Sequence, residues 1–367
     1  MNSKEKEKIK IVFFTGSRAD YTTLKPLIKR LKKNNIEIII YFSGSHFTKI
    51  LGNTFQDYRN DNKGIKIKKI NFFGEVKNFE KKKIFNLGKK KISKQLLIDK
   101  PNFIYILGDR YEAMIASLVS YDLGIKIIHS GGGETTLGSK DNFYRDVISK
   151  VSSFHMATTK KSFLKLKRKF SNQSVFFPGS AIVEKINNFK AKKNIKSHFF
   201  KKNKFVLMTF HPATSSKENI SKLMLMSIQL LLDQNYKILI TYPNQDPGYI
   251  EILKVINKFK YKKNIIIKKN LGDKYFNVVK NCKFLIGNSS SGIIEAPYFK
   301  KKVINIGNRQ KGRQIDKTVI DVTPNLKKFK LNLIKALRKK VIKSSSNFYG
   351  KGNTIQKQVK ILNKILV

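Results

Sequence analysis

Short runs of apolar residues alternate with amphipathic stretches along almost the whole chain. The first two runs, Ile9–Phe14 and Ile36–Phe42, are apolar on both faces, and a stretch with helical spacing lies between them from about Ala19 to Lys33. Strands of this kind are typical of a parallel sheet that is covered by helices on both sides. The sequence therefore predicts the α/β class, with doubly wound parallel sheets.

The later elements follow the same pattern. In the first half, strands are predicted at Phe103–Leu107, Lys126–His129, Phe154–Ala157 and Val175–Phe177, and helices at Lys82–Asp99, Tyr111–Leu123 and Asn142–Val151. In the second half, strands are predicted at Phe205–Thr209, Lys237–Thr241, Asn264–Ile267, Lys283–Ile286 and Val303–Asn305, and helices at Lys217–Asp233, Tyr249–Phe259, Lys274–Asn281 and Gly292–Phe299.

The alternation is interrupted from about Glu184 to Lys202, where the chain is charged and lacks a clear period. Because single cores rarely grow beyond about 250 residues, a chain of 367 residues is expected to form two domains. We predict Rossmann-like domains over 1–183 and 184–344, and a final segment over 345–367 with an amphipathic helix. Ligands of such folds bind beyond the carboxyl ends of the strands, so a cleft between the two domains is the expected site.

The formal net charge of +52 is the strongest bias in the composition, and dense lysine and arginine can bind nucleic acid. However, 67 of the 76 basic residues are lysines, and they are scattered through every segment. A selected nucleic-acid surface would group basic and exposed aromatic residues. We expect no specific nucleic-acid partner, and keep nonspecific polyanion binding as an alternative.

The expected compartment is the cytoplasm, without a membrane partner. No apolar run approaches the roughly 18 residues of a membrane span, and the first residues contain no apolar signal region. The single cysteine, Cys282, lies at the edge of a predicted strand and is expected to be a small buried hydrophobe.

Five of the nine arginines lie in loops that also contain glycine or acidic residues. These five are Arg18, Arg110, Arg145, Arg309 and Arg313. Lysine suffices where only a solvated charge is needed, but a planar fork that grips phosphate or carboxylate requires arginine. We therefore predict that these side chains bind such groups.

The most informative loop is Gly-Asn-Ser-Ser-Ser-Gly at 287–292, between a predicted strand and a predicted helix. Backbone N–H groups at the start of a helix can hold phosphate, and Ser289 and Ser290 lie there. Glu295, one turn further on, could accept hydrogen bonds from ribose hydroxyls. The alternative interpretation is an ordinary serine-capped helix.

Acidic residues follow several strands of the first half. In the first loop, Gly16 permits a tight exit, Ser17 can cap a helix, and Arg18 would face a pyrophosphate; a capped helix with a surface arginine is the alternative.

Asp109 ends a central strand next to Arg110. In a cleft with restricted water, the pKa of this carboxyl can rise enough for proton transfer, whereas a plain ion pair is the other interpretation.

The loop from His129 to Arg145 contains three consecutive glycines, followed by Glu134 and Asp141. The glycines let the backbone approach a ligand, and Arg145 lies one helical turn after Asp141. His129 has no second histidine or cysteine at the spacing of a zinc site, so we predict no metal.

The second half contributes three further polar loops. His211, held by Pro212 after a strand, is suited to bind phosphate or to move a proton. Asn244, after the next strand, could contact a base or sugar, and the loop at 307–313 adds Arg309 and Arg313.

In this order, the loops resemble the UDP-N-acetylglucosamine 2-epimerase family, in its hydrolysing branch from sialic acid and legionaminic acid biosynthesis. The resemblance covers nearly the whole chain and rests on residues 15–21, 108–112, 129–145, 211–212, 287–292, 307–313 and 349–353. Arg-Ala-Asp-Tyr at 18–21 looks like the hydrolysing branch, whereas the non-hydrolysing epimerases usually carry Arg-Pro-Glu there.

The resemblance implies a glycosyltransferase-B-like pair of domains with a UDP-sugar in the cleft. It also implies a C-terminal UDP-binding domain, a final helix that packs back on the first domain, and a homodimer that uses no cofactor. The reaction would be glycosidic-bond hydrolysis: loss of the C2 proton and departure of UDP give a glycal, and addition of water with inversion at C2 releases N-acetylmannosamine from UDP-N-acetylglucosamine.

The resemblance also implies roles for individual residues. The acid/base candidates are Asp109, Glu134 and Asp141, with His211 as a further catalytic candidate that also holds the nucleotide. The resemblance further implies that Arg18, Ser289, Ser290 and Glu295 hold the nucleotide. From their residue types and positions, we add Arg110, Arg145, Asn244 and Arg313 as predicted substrate contacts. Many relatives carry a second histidine where this chain has Gly131, and the family pattern does not say which acid takes the C2 proton.

Other functions stay open at this stage. The same chemistry could act on UDP-2,4-diacetamido-2,4,6-trideoxyglucose, because no motif reads C4 or C6 of the sugar. A UDP-sugar glycosyltransferase shares the architecture but would not need several carboxylates around the sugar.

Overall fold

The computed structural model describes residues 8–32, 36–47, 54–59, 62, 64–73, 80–138, 140–170, 174–189, 204–215, 218–244, 246–340 and 348–366. The chain forms two compact units, each built on one parallel sheet. Unit 1 comprises residues 1–134, 141–184 and 349–367, and unit 2 comprises residues 135–140 and 185–348. The predicted α/β class with parallel sheets is thus confirmed.

Unit 1 contains a seven-stranded sheet in the order β3-β2-β1-β4-β5-β6-β7, in which all neighbouring strands run parallel. Its strands are β1 (Ile9–Thr15), β2 (Ile36–Phe42), β3 (Lys66–Lys69), β4 (Phe103–Leu107), β5 (Lys126–Ser130), β6 (Phe154–Met156) and β7 (Val175–Phe176). Its helices are α1 (Arg18–Leu31), α2 (Thr54–Arg59), α3 (Lys81–Asp99), α4 (Tyr111–Asp122), α5 (Asp141–Val151), α6 (Lys160–Lys169) and α7 (Ala181–Asn187), the last residues of which pass into unit 2.

The central strands of unit 1 are buried on both faces. Val12 and Phe14 of β1 pack with α3 and α4, whereas Ile11 and Phe13 pack on the opposite face with α1. Each such side chain contributes about 1.5–3 kcal/mol by leaving water. The final helix, α13 (Thr354–Ile365), also belongs to unit 1, and its Leu362 lies in the core on the α1 side.

Unit 2 contains a six-stranded parallel sheet in the order β10-β9-β8-β11-β12-β13. Its strands are β8 (Phe205–Thr209), β9 (Lys237–Thr241), β10 (Ile265–Lys268), β11 (Leu285–Gly287), β12 (Val303–Ile306) and β13 (Val319–Val322). Its helices are α8 (Ile220–Asp233), α9 (Tyr249–Lys258), α10 (Tyr275–Asn281), α11 (Ser290–Ile294) and α12 (Phe329–Arg338). None of the helices in the described ranges has the length and apolar character that a bilayer span requires.

The structure corrects two predicted elements. The helix predicted at Gly292–Phe299 is wrong: α11 ends at Ile294, and a 3₁₀ turn follows from Ala296 to Phe299. Pro297 explains the break, since its ring excludes a regular helical hydrogen bond. The linker predicted from Glu184 to Lys202 begins inside α7, and its residues 190–202 lie outside the described residues.

Residues 135–140 leave unit 1 and return to it. The backbone N–H of Leu137 donates to the carbonyl of Lys311 at 2.9 Å. A Cβ on Gly138 would collide with the backbone of Asn308 and Arg309. This segment is therefore part of unit 2, although the chain on both sides of it belongs to unit 1.

Candidate active site

Three acidic residues of unit 1, Asp109, Glu134 and Asp141, are connected to one arginine by an ion pair, a backbone hydrogen bond and a shared helix, and together they are called the acid cluster here. Arg145 on α5 is 1% exposed and makes a short ion pair with Asp109, which follows β4. Its Nη1 donates to the backbone carbonyl of Glu134 at 3.0 Å. Asp141 is the first residue of α5, one turn before Arg145. The planar guanidinium thus fixes Asp109 and the end of the glycine loop at once.

Glu134 has a second anchor. The hydroxyl of Thr158, which is 8% exposed, donates a short hydrogen bond to the Glu134 carboxylate. Thr158 lies just before Thr159, whose side chain caps α6 through a reciprocal pair of bonds with Ser162. The Glu134 carboxylate is therefore bound by a short side chain that lies next to the capped start of α6.

His129 on β5 supports the loop that carries Asp109. Its ring is fully buried; Nε2 donates to the carbonyl of Gly108 at 2.8 Å, and Nδ1 lies 3.0 Å from the Ser149 hydroxyl, which donates to it. Burial lowers the pKa of His129 to about 4, so the ring is neutral near pH 7. With both nitrogens bonded to the protein, His129 fixes the exit of β4, where Asp109 follows.

A second charged group lies where β1, β2 and β4 end. Arg110 donates from Nε to Glu112 at 2.6 Å, and the side chain of Glu112 is 3% exposed. Asp20, in the first turn of α1, accepts from the backbone N–H of Gly16 at 3.2 Å. Burial raises the pKa of Asp20 to about 6, opposed by the nearby charge of Arg110. Arg18 begins α1 and is half-buried.

In unit 2, the predicted loops meet at one polar edge. Asn288, fully buried after β11, accepts from the His211 backbone N–H at 2.7 Å and donates to the His211 carbonyl at 2.8 Å. Its own carbonyl accepts from the Gln310 side chain at 2.9 Å. Asn288 therefore joins the loops that follow β8, β11 and β12, the first through its side-chain amide and the last through its backbone carbonyl.

The His211 ring has a defined tautomer. Its Nδ1 lies 3.0 Å from the backbone N–H of Asn244, which can only donate, so Nδ1 carries no proton in the neutral ring. Nε2 then carries the proton and is a donor. The geometry suits donation to a phosphate oxygen, whereas Asn244 contributes its backbone to this contact and exposes its side chain.

Ser289 and Ser290 lie where β11 passes into α11. Ser289 caps the helix, and its hydroxyl accepts from the backbone N–H of Ser291 at 3.4 Å. Glu295 follows at the end of this short helix, half-buried. Burial raises its pKa to about 8, and the charge of Lys185 opposes that rise. Near pH 7, Glu295 is therefore mainly protonated.

The loop at 307–313 brings its arginines to the same unit. Arg309 is 8% exposed and lies 3.7 Å from Asp246. Arg313 is half-buried, and its backbone N–H donates to the carbonyl of Gln310 at 3.2 Å. Asn308 donates from its backbone N–H and side chain to Glu218 at 3.0 and 2.6 Å, which fixes the start of the loop.

Sequence reasoning missed Glu112 and Asn288 as site residues. Glu112 is an acidic residue in the first turn of α4, which is mainly apolar, and Asn288 is the one amide between a buried strand and three serines. The signal is in each case a single polar residue close after a buried strand. Among the described residues, no group of three or more His, Cys, Asp or Glu side chains could hold a metal ion.

Comparison with known proteins shows which family this chain is similar to. Residues 29–363 match the family model described as UDP-N-acetylglucosamine 2-epimerase. UDP-N,N'-diacetylbacillosamine 2-epimerase (hydrolyzing) of Legionella pneumophila is 31% identical over 366 residues, covering 97% of this chain and 96% of that protein. GDP/UDP-N,N'-diacetylbacillosamine 2-epimerase (hydrolyzing) of Campylobacter jejuni is 32% identical over 331 residues, covering 86% of this chain and 84% of that protein.

The fold is similar to that of a solved structure. The crystal structure of Methanocaldococcus jannaschii UDP-GlcNAc 2-epimerase in complex with UDP-GlcNAc and UDP has a TM-score of 0.79 to this chain, at 23% identity, and covers 97% of this chain and 100% of that one. This similarity confirms the predicted pair of Rossmann-like domains. The chain belongs to the UDP-N-acetylglucosamine 2-epimerase family, in its hydrolysing branch.

Proposed function

We propose that this protein converts a UDP-2-acetamido sugar and water into UDP and the free sugar with inverted C2. In the first half-reaction, a base takes the C2 proton while the C1–O bond breaks and UDP leaves with the electron pair. In the second, water gives its oxygen to C1 of the glycal and its proton to an enzyme base, and an acid protonates C2 on the other face. The atoms of the substrate and one water are thereby conserved in the products.

The observation that carries the proposal is the acid cluster around Arg145. Inversion at C2 requires proton transfer on both faces of the sugar, and therefore more than one acid/base group. Asp109, Glu134 and Asp141 come from separate loop positions, yet Arg145 contacts Asp109 and the Glu134 backbone and lies one turn from Asp141. A glycosyltransferase would have no need for this concentration of carboxylates.

We assign the three acids as the acid/base residues and Arg145 as the residue that positions them. The ion pair with Arg145 favours Asp109 as a carboxylate, the form that a base needs, and Thr158 orients Glu134 by donating to it. Burial of Arg145 supports a structural contact with these acids in place of direct substrate binding. Arg18 and Arg110, half-buried at neighbouring strand ends, are assigned to the negatively charged diphosphate.

The polar edge of unit 2 is assigned to UDP. His211 can donate from Nε2 to a departing phosphate, and the serines at 289 and 290 offer hydroxyl and backbone donors. Glu295 is assigned to the ribose hydroxyls, with Asn244 and Arg313 as further contacts. α11 has only five residues, so local donors rather than a long helix dipole support this assignment.

Two sugars fit this reaction. UDP-N,N'-diacetylbacillosamine, the 2,4-diacetamido-6-deoxy sugar, is favoured because the relatives from Legionella pneumophila and Campylobacter jejuni carry its name. UDP-N-acetylglucosamine, with N-acetylmannosamine as product, is the second candidate because the family description names it. The first would place the enzyme in a legionaminic acid route and the second in a sialic acid route.

The test is incubation of the purified protein with each UDP-sugar in D₂O. We expect release of UDP and of a free sugar that carries one deuterium at C2, with the higher kcat/KM for the diacetamido substrate. Asp109→Asn should abolish turnover, whereas Asp233→Asn, at the far end of α8, should not. UDP release without deuterium at C2, or no free sugar unless an acceptor is added, would contradict the proposal.

A further inference from the structure

A buried carboxylate, that of Glu112, lies where three loops of unit 1 meet. The residue is 2% exposed, and its Oε1 is 2.6 Å from Nε of Arg110. A Cβ on Gly16 or on Gly44 would collide with this same oxygen. The loops after β1 and β2 therefore close around Glu112, and they leave room for it only because both positions are glycine.

The bond to Glu112 fixes the orientation of Arg110. The carboxylate engages Nε, on one edge of the planar guanidinium, and this bond limits the directions in which the terminal nitrogens can donate. The Arg110 side chain keeps 22% of its exposure, whereas that of Glu112 keeps 3%. Glu112 is the buried end of this pair, and Arg110 is the end that a ligand can reach.

The position of the pair in the chain links it to the reaction. Asp109 and Arg110 are consecutive: Asp109 is bound by Arg145 from α5, and Arg110 is bound by Glu112 from α4. A competing partner is present as well, because the charge of Arg110 acts on Asp20 in α1. Loss of the Glu112 carboxylate would remove the bond that sets the orientation of Arg110 and leave the charge of Asp20 acting on it.

We propose that Glu112 is a positioning residue of the 2-epimerase reaction, which fixes the Arg110 guanidinium for the negative charge that accumulates on the departing UDP. This inference rests on the proposed function and deepens it. A salt bridge needed only for folding would alter stability and leave the chemical step alone. A positioning role alters kcat through Arg110.

The experiment compares Glu112→Gln, Arg110→Lys and the double variant with the wild-type protein. We expect Glu112→Gln to lower kcat about 100-fold, with KM changed less than about threefold, since misplacing a catalytic contact acts mainly on the transition state. Arg110→Lys should lower kcat to a similar extent. The kcat of the double variant should be no more than about threefold below that of the less active single variant, because both substitutions disrupt the same Glu112–Arg110 pair.

The matched control is Asp99→Asn. Asp99 is another buried carboxylate of unit 1, bonded to Lys66 at 2.6 Å and Tyr41 at 2.7 Å at the end of α3. It should lower Tm and keep kcat within about threefold of wild type. If Glu112→Gln does not fold, Glu112→Asp, which keeps the charge but retracts it by one methylene, is judged by the same criteria.

The outcomes separate this inference from the proposed function. If the wild-type protein turns over a UDP-sugar but Glu112→Gln keeps its kcat, or if the losses of the two single variants multiply, Glu112 has no positioning role. If the wild-type protein turns over neither UDP-sugar, the proposed function fails, and the inference fails with it.

Discussion

At the scale of single residues, this protein holds its charged groups by partners that sequence spacing only partly reveals. Arg145 is almost completely buried, and such a charge is stable only when its partners are in place. Those partners are the Asp109 carboxylate and the Glu134 carbonyl. The arginine thus connects the loop after β4, which carries Asp109, to the glycine loop, which carries Glu134.

Arg145→Lys tests this role. A lysine has one point charge and no fork, so it cannot bind Asp109 and the Glu134 carbonyl in the same geometry. We expect kcat for UDP release to fall by about 100-fold or more, and the unfolding free energy of unit 1 to fall by about 3 kcal/mol, because the buried positive charge loses its contacts with Asp109 and the Glu134 carbonyl. The control is Arg30→Lys on the exposed face of α1. Wild-type kcat in Arg145→Lys would contradict the assignment.

Glu295 makes a separate prediction about protons. Its pKa is raised to about 8 by burial, so the side chain is mostly protonated at pH 7 in the protein without nucleotide. Ribose hydroxyls donate best to the ionised form, so UDP binding should lower this pKa and release a proton. Affinity should therefore rise with pH up to about 8. Calorimetry in buffers of different ionisation enthalpy measures the proton count.

The Glu295→Gln variant separates this proton from the ionisation of UDP itself. In the variant, proton release at pH 7 should fall and the affinity should lose its dependence on pH above about 6.5. Glu251→Gln, on the exposed face of α9, should behave as wild type. Equal proton release in the wild type and Glu295→Gln would show that Glu295 does not ionise on binding.

At the scale of elements, the sequence predicted the strands that apolar runs mark. β1, β4, β8 and β9 lie within two residues of the predicted bounds, because uninterrupted Ile, Val, Leu and Phe runs favour buried parallel strands. β3, with the sequence Lys-Ile-Lys-Lys, and the lysine-rich α6 were not predicted, since packing rather than pattern defines them.

The candidate site was predictable to a similar extent. Strand ends located Asp109, His211 and the serine loop, because side chains there share one edge of a sheet. The partners could not be predicted, since Arg145 meets Asp109 from 36 positions away and Asn288 meets His211 from 77. Those pairings depend on the order of the strands, which periodicity does not encode.

Gly287, at the end of β11, carries a prediction for an element. Its φ is +134°, and a Cβ would collide with the backbone carbonyl of Thr209 in β8. Gly287→Ala should therefore cost about 3 kcal/mol or more in denaturant unfolding of unit 2, combining strain with a clash against backbone. Gly248→Ala is the matched control.

Gly248 also has positive φ, +95°, but an added Cβ would meet Pro212 only at an ordinary distance of 3.6 Å. It should cost about 1 kcal/mol, from strain alone. Equal losses in the two variants would mean that the close approach of β11 to β8 adds nothing to the strain. The comparison therefore isolates strand contact from backbone conformation.

At the scale of the whole molecule, the net charge and the buried histidines both make the folded state less stable in acid. The formal net charge of +52 disfavours the compact state through repulsion among lysines, and it attracts anionic substrates at low salt. Unit 1 also buries His46, His129 and His155 completely. Burial lowers their pKa values to about 3, 4 and 3, so all three are neutral in the folded protein at pH 5.

Acid should therefore destabilise unit 1. In the unfolded chain these histidines have a pKa near 6.5 and bind protons that the folded unit does not accept, so each makes the folded state less stable as pH falls below 6.5. The raised pKa of Asp20, about 6, acts in the opposite direction, because there the folded state binds the extra proton. Asp20 contributes equally to the wild type and to a variant changed at one histidine, so the difference between their stabilities reports the histidine alone.

His155→Phe is that variant. Both ring nitrogens of His155 are buried without a hydrogen-bond partner, and the ring stacks on Phe170 at 4.3 Å, so phenylalanine fits the site chemically. Relative to wild type, the substitution should stabilise unit 1 by about 2 kcal/mol more at pH 5 than at pH 7.5. The reason is that pH 5 lies about 1.5 units below the pKa of histidine in the unfolded chain. Denaturant unfolding at both pH values measures the difference, and the transition of unit 2 serves as the internal control. If the stabilisation is the same at pH 5 and pH 7.5, His155 is already protonated in the folded protein, and its burial does not make unit 1 sensitive to acid.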